Sequence, residues 1–224
     1  MLRFTLDGEA DIEVDIREFV IAGWAGRDDA AIQEHIDELR AIGVTPPSAT
    51  PLFYRVGCNL ATTAPEVEML GEHTSGEVEV LLVGTPGGTC VGVGSDHTDR
   101  QAESWSVAHS KQLCPKPVAP ELWRLEEVLP HRDQLRLASH VVADGDRVSY
   151  QEGPVSGLLP PGDLLERFGR KEIALPTGTA MLCGTLPVAG GPRPAARFEM
   201  ALIDPVRGRR IEHAYAVRPL PVIA

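Results

Sequence analysis

Long apolar runs, positive charge and lysine are all scarce in this sequence of 224 residues. No run of about 18 apolar residues occurs, which excludes an ordinary membrane-spanning helix. The first residues lack the apolar segment of a secretion signal, so we expect a cytoplasmic protein. Lysine and arginine number 21 against 32 acidic residues, giving a net charge of −11. This balance argues against a nucleic-acid or anionic-membrane partner.

Cysteine is also sparse, and its spacing does not suggest a metal site. The four cysteines form no Cys-x-x-Cys pair, which argues against the common structural zinc sites. In a cytoplasmic protein we expect them to be buried free thiols. An alternative exists for Cys114, which lies between Lys111 and Lys116 and could be a nucleophile of lowered pKa.

Short apolar stretches separated by glycine and proline predict an α+β fold in which strands dominate. A helix is predicted over 28–42, because two aspartates stand at its start and apolar residues recur along one side. Gly43 is expected to end it. A second helix is predicted over 98–112, with Thr98 or Asp96 as its cap.

A proline-rich stretch suggests where the chain divides. Residues 46, 47 and 51 are prolines and mark an extended linker. We therefore expect a small N-terminal strand and helix layer over 1–45, followed by the main domain over 46–224.

The most informative strand, 77–83, carries two glutamates on one face. Glu77 and Glu79 are two residues apart and point the same way, and Leu81 and Val83 continue that face. Two carboxylates this close to a core raise each other's pKa unless a cation neutralises them. A hard divalent cation with oxygen ligands would do so. The alternative is an edge strand with both glutamates in solvent.

A third carboxylate follows seventeen residues after Glu79. Asp96 ends the next strand, a position from which its side chain can reach a cleft. Arg100, one helical turn later, could orient Asp96 or bind an anionic substrate group. The alternative for Arg100 is an ordinary surface ion pair.

Several segments in this order resemble the fumarylacetoacetate hydrolase superfamily, over roughly residues 50–220. The segments are Glu77-Val78-Glu79, Ser95-Asp96-His97-Thr98-Asp99-Arg100, Ser110-Lys111, Tyr150-Gln151-Glu152-Gly153 and Gly178-Thr179-Ala180-Met181-Leu182-Cys183-Gly184-Thr185. The resemblance implies a mixed β-roll, a homodimer and one divalent cation. Mg²⁺ is the expected ion, with Mn²⁺ or Ca²⁺ as alternatives.

The resemblance also implies roles for individual residues. The implied metal ligands are Glu77, Glu79 and Asp96. The implied catalytic or polar substrate contacts are Arg100, Glu103 and Lys111 (Lys116 is the alternative lysine), and the implied substrate-binding residues are Tyr54, Gln151 and Thr185. The stretch 56–62 lacks the histidine with which the family's hydrolases activate water. His73 is the expected substitute.

The resemblance implies a metal-dependent enzyme acting on a small 2-oxo acid or β-dicarbonyl. The leading hypothesis is hydrolytic carbon–carbon cleavage of an acylpyruvate-like compound through a metal-held enolate. Because the general base is unassigned, a lyase (a 2-oxo acid decarboxylase or hydratase) is the alternative. A second alternative is a non-catalytic protein that binds small molecules in the same pocket.

Overall fold

The computed structural model describes residues 1–41, 46–143 and 145–223, and strands dominate this part of the chain. The strands, in chain order, are β1 Leu2–Leu6, β2 Ala10–Val14, β3 Glu18–Gly23, β4 Leu52–Val56, β5 Ala61–Thr62, β6 Glu66–Leu70, β7 Thr74–Ser75, β8 Val78–Thr85, β9 Gly88–Ser95, β10 Thr98–Asp99, β11 Lys116–Pro117, β12 Glu121–Arg124, β13 Arg136–Ala143, β14 Asp146–Pro154, β15 Thr179–Thr185, β16 Arg197–Asp204 and β17 Arg209–Leu220. The helices are α1 Asp29–Ala41, α2 Arg100–Glu103, α3 Val107–Gln112, α4 Leu125–Val128 and α5 Pro161–Arg167.

Two mixed sheets build the fold. The larger has the strand order β2-β1-β12-β9-β8-β15-β3-β4, and the smaller β14-β13-β16-β17-β6. Most neighbouring strands are antiparallel, but β1 runs parallel to β12, β3 to β15, β6 to β17 and, in a separate two-stranded sheet, β5 to β11. The β-dominated mixed roll predicted from the resemblance is thus confirmed. Among the described residues, no helix is long and apolar enough to cross a membrane.

Strand β8 lies at the centre of the larger sheet, between β9 and β15, and all of its residues are buried. The side chains of β8 alternate between two apolar cores, as the sequence predicted. Leu81 and Val83 pack in a cluster with Phe19, while Val80 and Leu82 pack in the larger cluster on the other face. The edge-strand alternative is therefore wrong.

The N-terminal strands belong to the same sheet as β8. Strand β3 pairs with β15 and β4, and β1 pairs with β2 and β12. The predicted boundary at residue 45 falls on 42–45, outside the described residues, so the division into two units stays a prediction. Helix α1 begins as predicted, with the Asp28 carboxylate accepting the backbone N–H groups of Ala30 and Ala31.

The single helix predicted over 98–112 is wrong, because the segment forms β10 and two short helices. Strand β10 pairs with β7, which holds Thr98 in extended backbone. The cap of α2 is Asp99, whose carboxylate accepts two backbone N–H groups, and the cap of α3 is Ser106. Thr98 instead donates its hydroxyl to the Asp96 carbonyl at 3.1 Å.

Candidate metal centre

Three carboxylates meet at one end of the β8–β9 hairpin. Oxygen atoms of Glu77, Glu79 and Asp96 all lie within 4.8 Å of one another. The hairpin register explains this meeting, since Val78 pairs with Ser95 and the Asp96 N–H donates to the Glu77 carbonyl at 3.0 Å. Asp96, which follows Glu79 by 17 positions and Glu77 by 19, therefore lies close to both of them across the strand pair.

Burial makes this cluster costly unless cations compensate its charge. Asp96 is fully buried and Glu79 is 3% exposed. Burial, reinforced by the charge of Asp96, raises the pKa of Glu79 well above its usual value. Burial also raises the pKa of Glu77, although Arg100 opposes the shift. Burial by itself would also raise the pKa of Asp96. The positive charges of Lys111 and Lys116 outweigh this effect and lower the pKa to about 2.

Two of the protein's three lysines contact Asp96. Lys111, from α3, donates to Asp96 Oδ2 and is 6% exposed. Lys116, from β11, lies 3.3 Å from Asp96 Oδ1, donates to the His97 carbonyl and is fully buried. The two lysines that the resemblance offered as alternatives therefore reach the same carboxylate.

Arg100 contacts a different carboxylate of the cluster. It forms ion pairs with Glu77 at 3.2 Å and Glu103 at 2.9 Å, and its Nε donates to Ser75 Oγ at 2.7 Å. Arg100 therefore orients a carboxylate, but that carboxylate is Glu77 rather than the expected Asp96. Ser75 was not singled out from the sequence, and its type alone gives no signal.

The expected substrate-binding residues Gln151 and Thr185 hydrogen-bond the backbone of Val78, next to Glu79. Gln151 is 1% exposed: its Oε1 accepts from the Val78 N–H and the Ser139 hydroxyl, and its Nε2 donates to Thr185 Oγ1 and the Leu186 carbonyl. Its amide is thus fully used within the protein. This favours a role in positioning β8 over the substrate contact implied by the resemblance.

Thr185 and its neighbour fix the glutamate itself. Thr185 Oγ1 donates to the Val78 carbonyl at 3.0 Å, and the Gly184 N–H donates to Glu79 Oε2 at 2.8 Å. Gly184 has a φ of +95°, and a Cβ there would lie 2.9 Å from the Cβ of Ala25. Only glycine suits this point, where β15 departs from regular pairing to present its N–H.

Tyr54 and His73 differ in their relation to the cluster. The Lys111 ammonium lies 5.5 Å from the centre of the Tyr54 ring, which places Tyr54 beside the site. Burial raises the pKa of the Tyr54 hydroxyl, which also hydrogen-bonds Trp24. His73 is exposed and is not part of the carboxylate cluster, although its carbonyl accepts the Arg100 N–H at 2.7 Å.

A buried polar network supports the segment after Asp96. His97 Nδ1 lies 2.8 Å from the Tyr215 hydroxyl, and His97 Nε2 lies 3.0 Å from Thr74 Oγ1. The same Tyr215 hydroxyl lies 2.8 Å from Ser95 Oγ. Burial, with the charges of Lys116 and Arg100, lowers the pKa of His97 to about 3. His97 is therefore a neutral structural residue in this arrangement.

The cysteine next to these lysines is not activated. Cys114 is 1% exposed, and burial raises the pKa of its thiol to about 11. The nucleophile alternative is therefore wrong. Cys90 and Cys183 are buried free thiols, as expected, while Cys58 is half-buried.

The family described as "Protein of unknown function (DUF2848)" matches residues 22–215. The chain belongs to this family. No curated protein sequence matches it. The yeast protein ynq8, a fumarylacetoacetate hydrolase family protein, is 16% identical with a TM-score of 0.67, and the match covers 93% of this chain and 95% of ynq8. A 5-carboxymethyl-2-hydroxymuconate delta-isomerase from Mycobacterium smegmatis is 15% identical with a TM-score of 0.63, covering 92% of this chain and 78% of the isomerase.

These structures show that this DUF2848 chain has the fold of fumarylacetoacetate hydrolase family proteins, which confirms the predicted resemblance. The carboxylate cluster itself fits a hard divalent ion. Its donor atoms are all carboxylate oxygens, the type that Mg²⁺, Mn²⁺ and Ca²⁺ prefer. Among the described residues Glu79 forms no ion pair, so a bound cation would supply the positive charge that compensates this buried carboxylate.

Proposed function

We propose that this protein is a divalent-cation-dependent enzyme that cleaves a carbon–carbon bond in a small 2-oxo acid or β-dicarbonyl. The observation that carries the proposal is the meeting of Glu77, Glu79 and Asp96 within 4.8 Å, where Glu79 and Asp96 are buried and Glu77 is partly buried. Gathering three acids at a site so little exposed to solvent is unfavourable by itself, and such arrangements are typical of functional sites.

Glu77, Glu79 and Asp96 would hold the cation, for which we propose Mg²⁺, with Mn²⁺ or Ca²⁺ as alternatives. A bound divalent ion would supply a Lewis acid that polarises the carbonyl of a 2-oxo acid. The chain's own part is to fix the three ligands. Gly184 orients Glu79 through its N–H, and Arg100 orients Glu77 through its guanidinium.

The proposed substrate is an anion because cations gather at this site in an acidic protein. Lys111, Lys116 and Arg100 surround the cluster, although the net charge of the chain is −11. Arg100 can bind a carboxylate bidentately if it releases Glu103, whose side chain is 32% exposed. Tyr54, next to Lys111, would also contact the substrate.

Hydrolysis of an acylpyruvate-like compound is the leading reaction, and the name of the ynq8 family supports it. One observation favours the lyase alternative. Hydrolysis needs a base for water, and in the described residues the cluster contains no histidine, since His73 is exposed and His97 is held by two hydroxyls. A decarboxylase would not need that base.

The assay that separates these reactions uses purified protein with Mg²⁺ and acetylpyruvate, fumarylpyruvate or oxaloacetate. Loss of the 1,3-diketone absorbance indicates hydrolysis, and release of CO₂ indicates decarboxylation. Asp96→Asn is the matched control and is expected to abolish either signal. If calorimetry detects Mg²⁺-dependent binding of these compounds but all of them stay intact, the non-catalytic alternative holds and the enzyme proposal is wrong.

The homodimer remains a proposal that rests on the resemblance alone. Light scattering of the purified chain would test it, with twice the mass of 24.1 kDa as the expected result. A monomeric mass at assay concentration would contradict it.

A further inference from the structure

Lys111 has an unusual place among the cations of the site. Its ammonium donates to Asp96 Oδ2, and the charges of Glu77 and Glu79 act on it as well. It is thus a side-chain cation that contacts one of the three proposed metal ligands, Asp96, and lies near the other two. Lys111 is only 6% exposed, so little solvent screens these interactions.

The contact with Asp96 is the decisive one. A divalent ion bound by Asp96 and a lysine ammonium on the same carboxylate would be two cations within a few ångströms of each other. In a buried site such repulsion is strong, because the effective dielectric is low. Lys111 and the ion therefore cannot both keep full contact with Asp96 without a large loss of affinity.

We propose that Lys111 is an internal competitor of the divalent cation, which neutralises the carboxylates until the ion displaces its ammonium. The inference rests on the cation site proposed above. The exit route is short, because the ammonium already lies 5.5 Å from the centre of the Tyr54 ring. Glu103, whose side chain is 32% exposed, offers a carboxylate near the Tyr54 ring. Displaced there, Lys111 would face an incoming anionic substrate.

Lys116 provides a matched control for this role. It also contacts Asp96, at 3.3 Å, but it donates to the His97 carbonyl and is fully buried in β11. It therefore contacts the other carboxylate oxygen, Oδ1, and a backbone carbonyl also holds its ammonium. If only the total charge near Asp96 mattered, removing either lysine would change metal affinity equally. If Lys111 competes for the ligand position, its removal has the larger effect.

The experiment measures Mn²⁺ binding to the full chain by calorimetry and by electron paramagnetic resonance, with no substrate present. Lys111→Met is expected to bind Mn²⁺ about tenfold more tightly or better than the wild type, because a repelling charge is gone. Lys116→Met is expected to gain less. Lys111→Gln serves as a second variant should the methionine variant fold poorly.

The outcomes separate this inference from the proposed function. Equal or weaker Mn²⁺ binding in Lys111→Met, while the wild type binds, overturns the competition but leaves the metal site standing. A gain in Lys116→Met as large as that in Lys111→Met also overturns it. Failure of wild type and Lys111→Met alike to bind Mn²⁺ refutes the metal site, and the inference falls with it.

A measurement on the wild-type chain needs no variant. Acetylation followed by mass spectrometry can resolve every lysine, since the chain has only Lys111, Lys116 and Lys171. Lys171 is exposed and serves as the internal standard. Adding Mg²⁺ is expected to raise the modification of Lys111 several-fold relative to Lys171, while buried Lys116 stays protected. An unchanged Lys111 signal at saturating Mg²⁺ would overturn the displacement.

Discussion

The buried His97 makes a quantitative prediction about acid stability. Its pKa falls from 6.5 to about 3 on folding, because burial and the nearby charges of Lys116 and Arg100 disfavour the imidazolium. The imidazole is held between the Tyr215 hydroxyl and Thr74 Oγ1, and none of the described carboxylates forms an ion pair with it. Between these two pKa values, His97 therefore binds a proton in the unfolded chain but stays neutral in the folded chain.

The sign and size of the effect follow from linkage. Between the two pKa values the unfolded state holds more protons, so the free energy of unfolding falls as the pH is lowered from 6.5 towards 3. At about 1.4 kcal/mol per pKa unit, the full difference is about 5 kcal/mol. This loss is comparable to the whole stability of many domains, so protonation of His97 is expected to contribute strongly to acid unfolding.

The test is urea unfolding of the wild type and His97→Asn at several pH values between 4 and 7. Asparagine can keep a hydrogen bond to Tyr215 but does not titrate. Whatever its absolute stability, the variant is expected to show, at pH values well below 6.5, a pH slope smaller by about 1.4 kcal/mol per pH unit. His109→Gln, at an exposed histidine, is the control. Equal slopes in the wild type and His97→Asn would refute the reasoning.

Three further predictions concern the site and its frame. Glu79→Gln is expected to lose Mn²⁺ binding in calorimetry, yet to be at least as stable as the wild type at neutral pH in chelator. The raised pKa of Glu79 means that folding becomes less favourable as the pH rises past its ordinary value, and glutamine removes that loss. Gln151→Leu is expected to cost about 2–5 kcal/mol in urea unfolding, because buried partners of the amide lose their hydrogen bonds. Gly84→Ala is expected to lower the melting temperature strongly, because a Cβ there would lie 2.1 Å from the Pro176 carbonyl oxygen.

The Gln151→Leu and Gly84→Ala variants each have a control within the chain. Glu152→Gln changes an exposed acid next to Gln151 and is expected to cost under about 1 kcal/mol. Gly157→Ala places a methyl group where nothing lies within 4 Å, so its melting temperature should stay close to that of the wild type. Mn²⁺ binding retained by Glu79→Gln would remove that residue from the ligand set. Wild-type stability in Gln151→Leu or Gly84→Ala would contradict the packing described for β8.

Local pattern in the sequence was enough to find the strand that carries the site. The alternation from Glu77 to Val83 required both glutamates to share a face and the apolar residues to divide between two sides. The structure shows this division, with Leu81 and Val83 in one core and Leu82 in the other. The order of the motifs along the sequence likewise predicted the fold, because it resembles the order found in the fumarylacetoacetate hydrolase superfamily.

The split of the segment 98–112 could not be found in the same way. Its composition suits a helix, but β7 takes Thr98 into a strand pair, and side-chain caps at Asp99 and Ser106 begin two new helices. A tertiary partner overrode the local preference. Arg100 consequently faces Glu77 and Glu103 rather than Asp96.

The sequence by itself determined which side chains carry charge and on which face of β8 they stand, because these depend only on residue type and the two-residue period of a strand. Only the tertiary structure decided how those charges are paired. The hairpin register, β11 and α3 bring Asp96 between two lysines that lie 15 and 20 residues away along the chain. Pairing of this kind depends on distances across the fold and on burial, and neither quantity is encoded in local spacing.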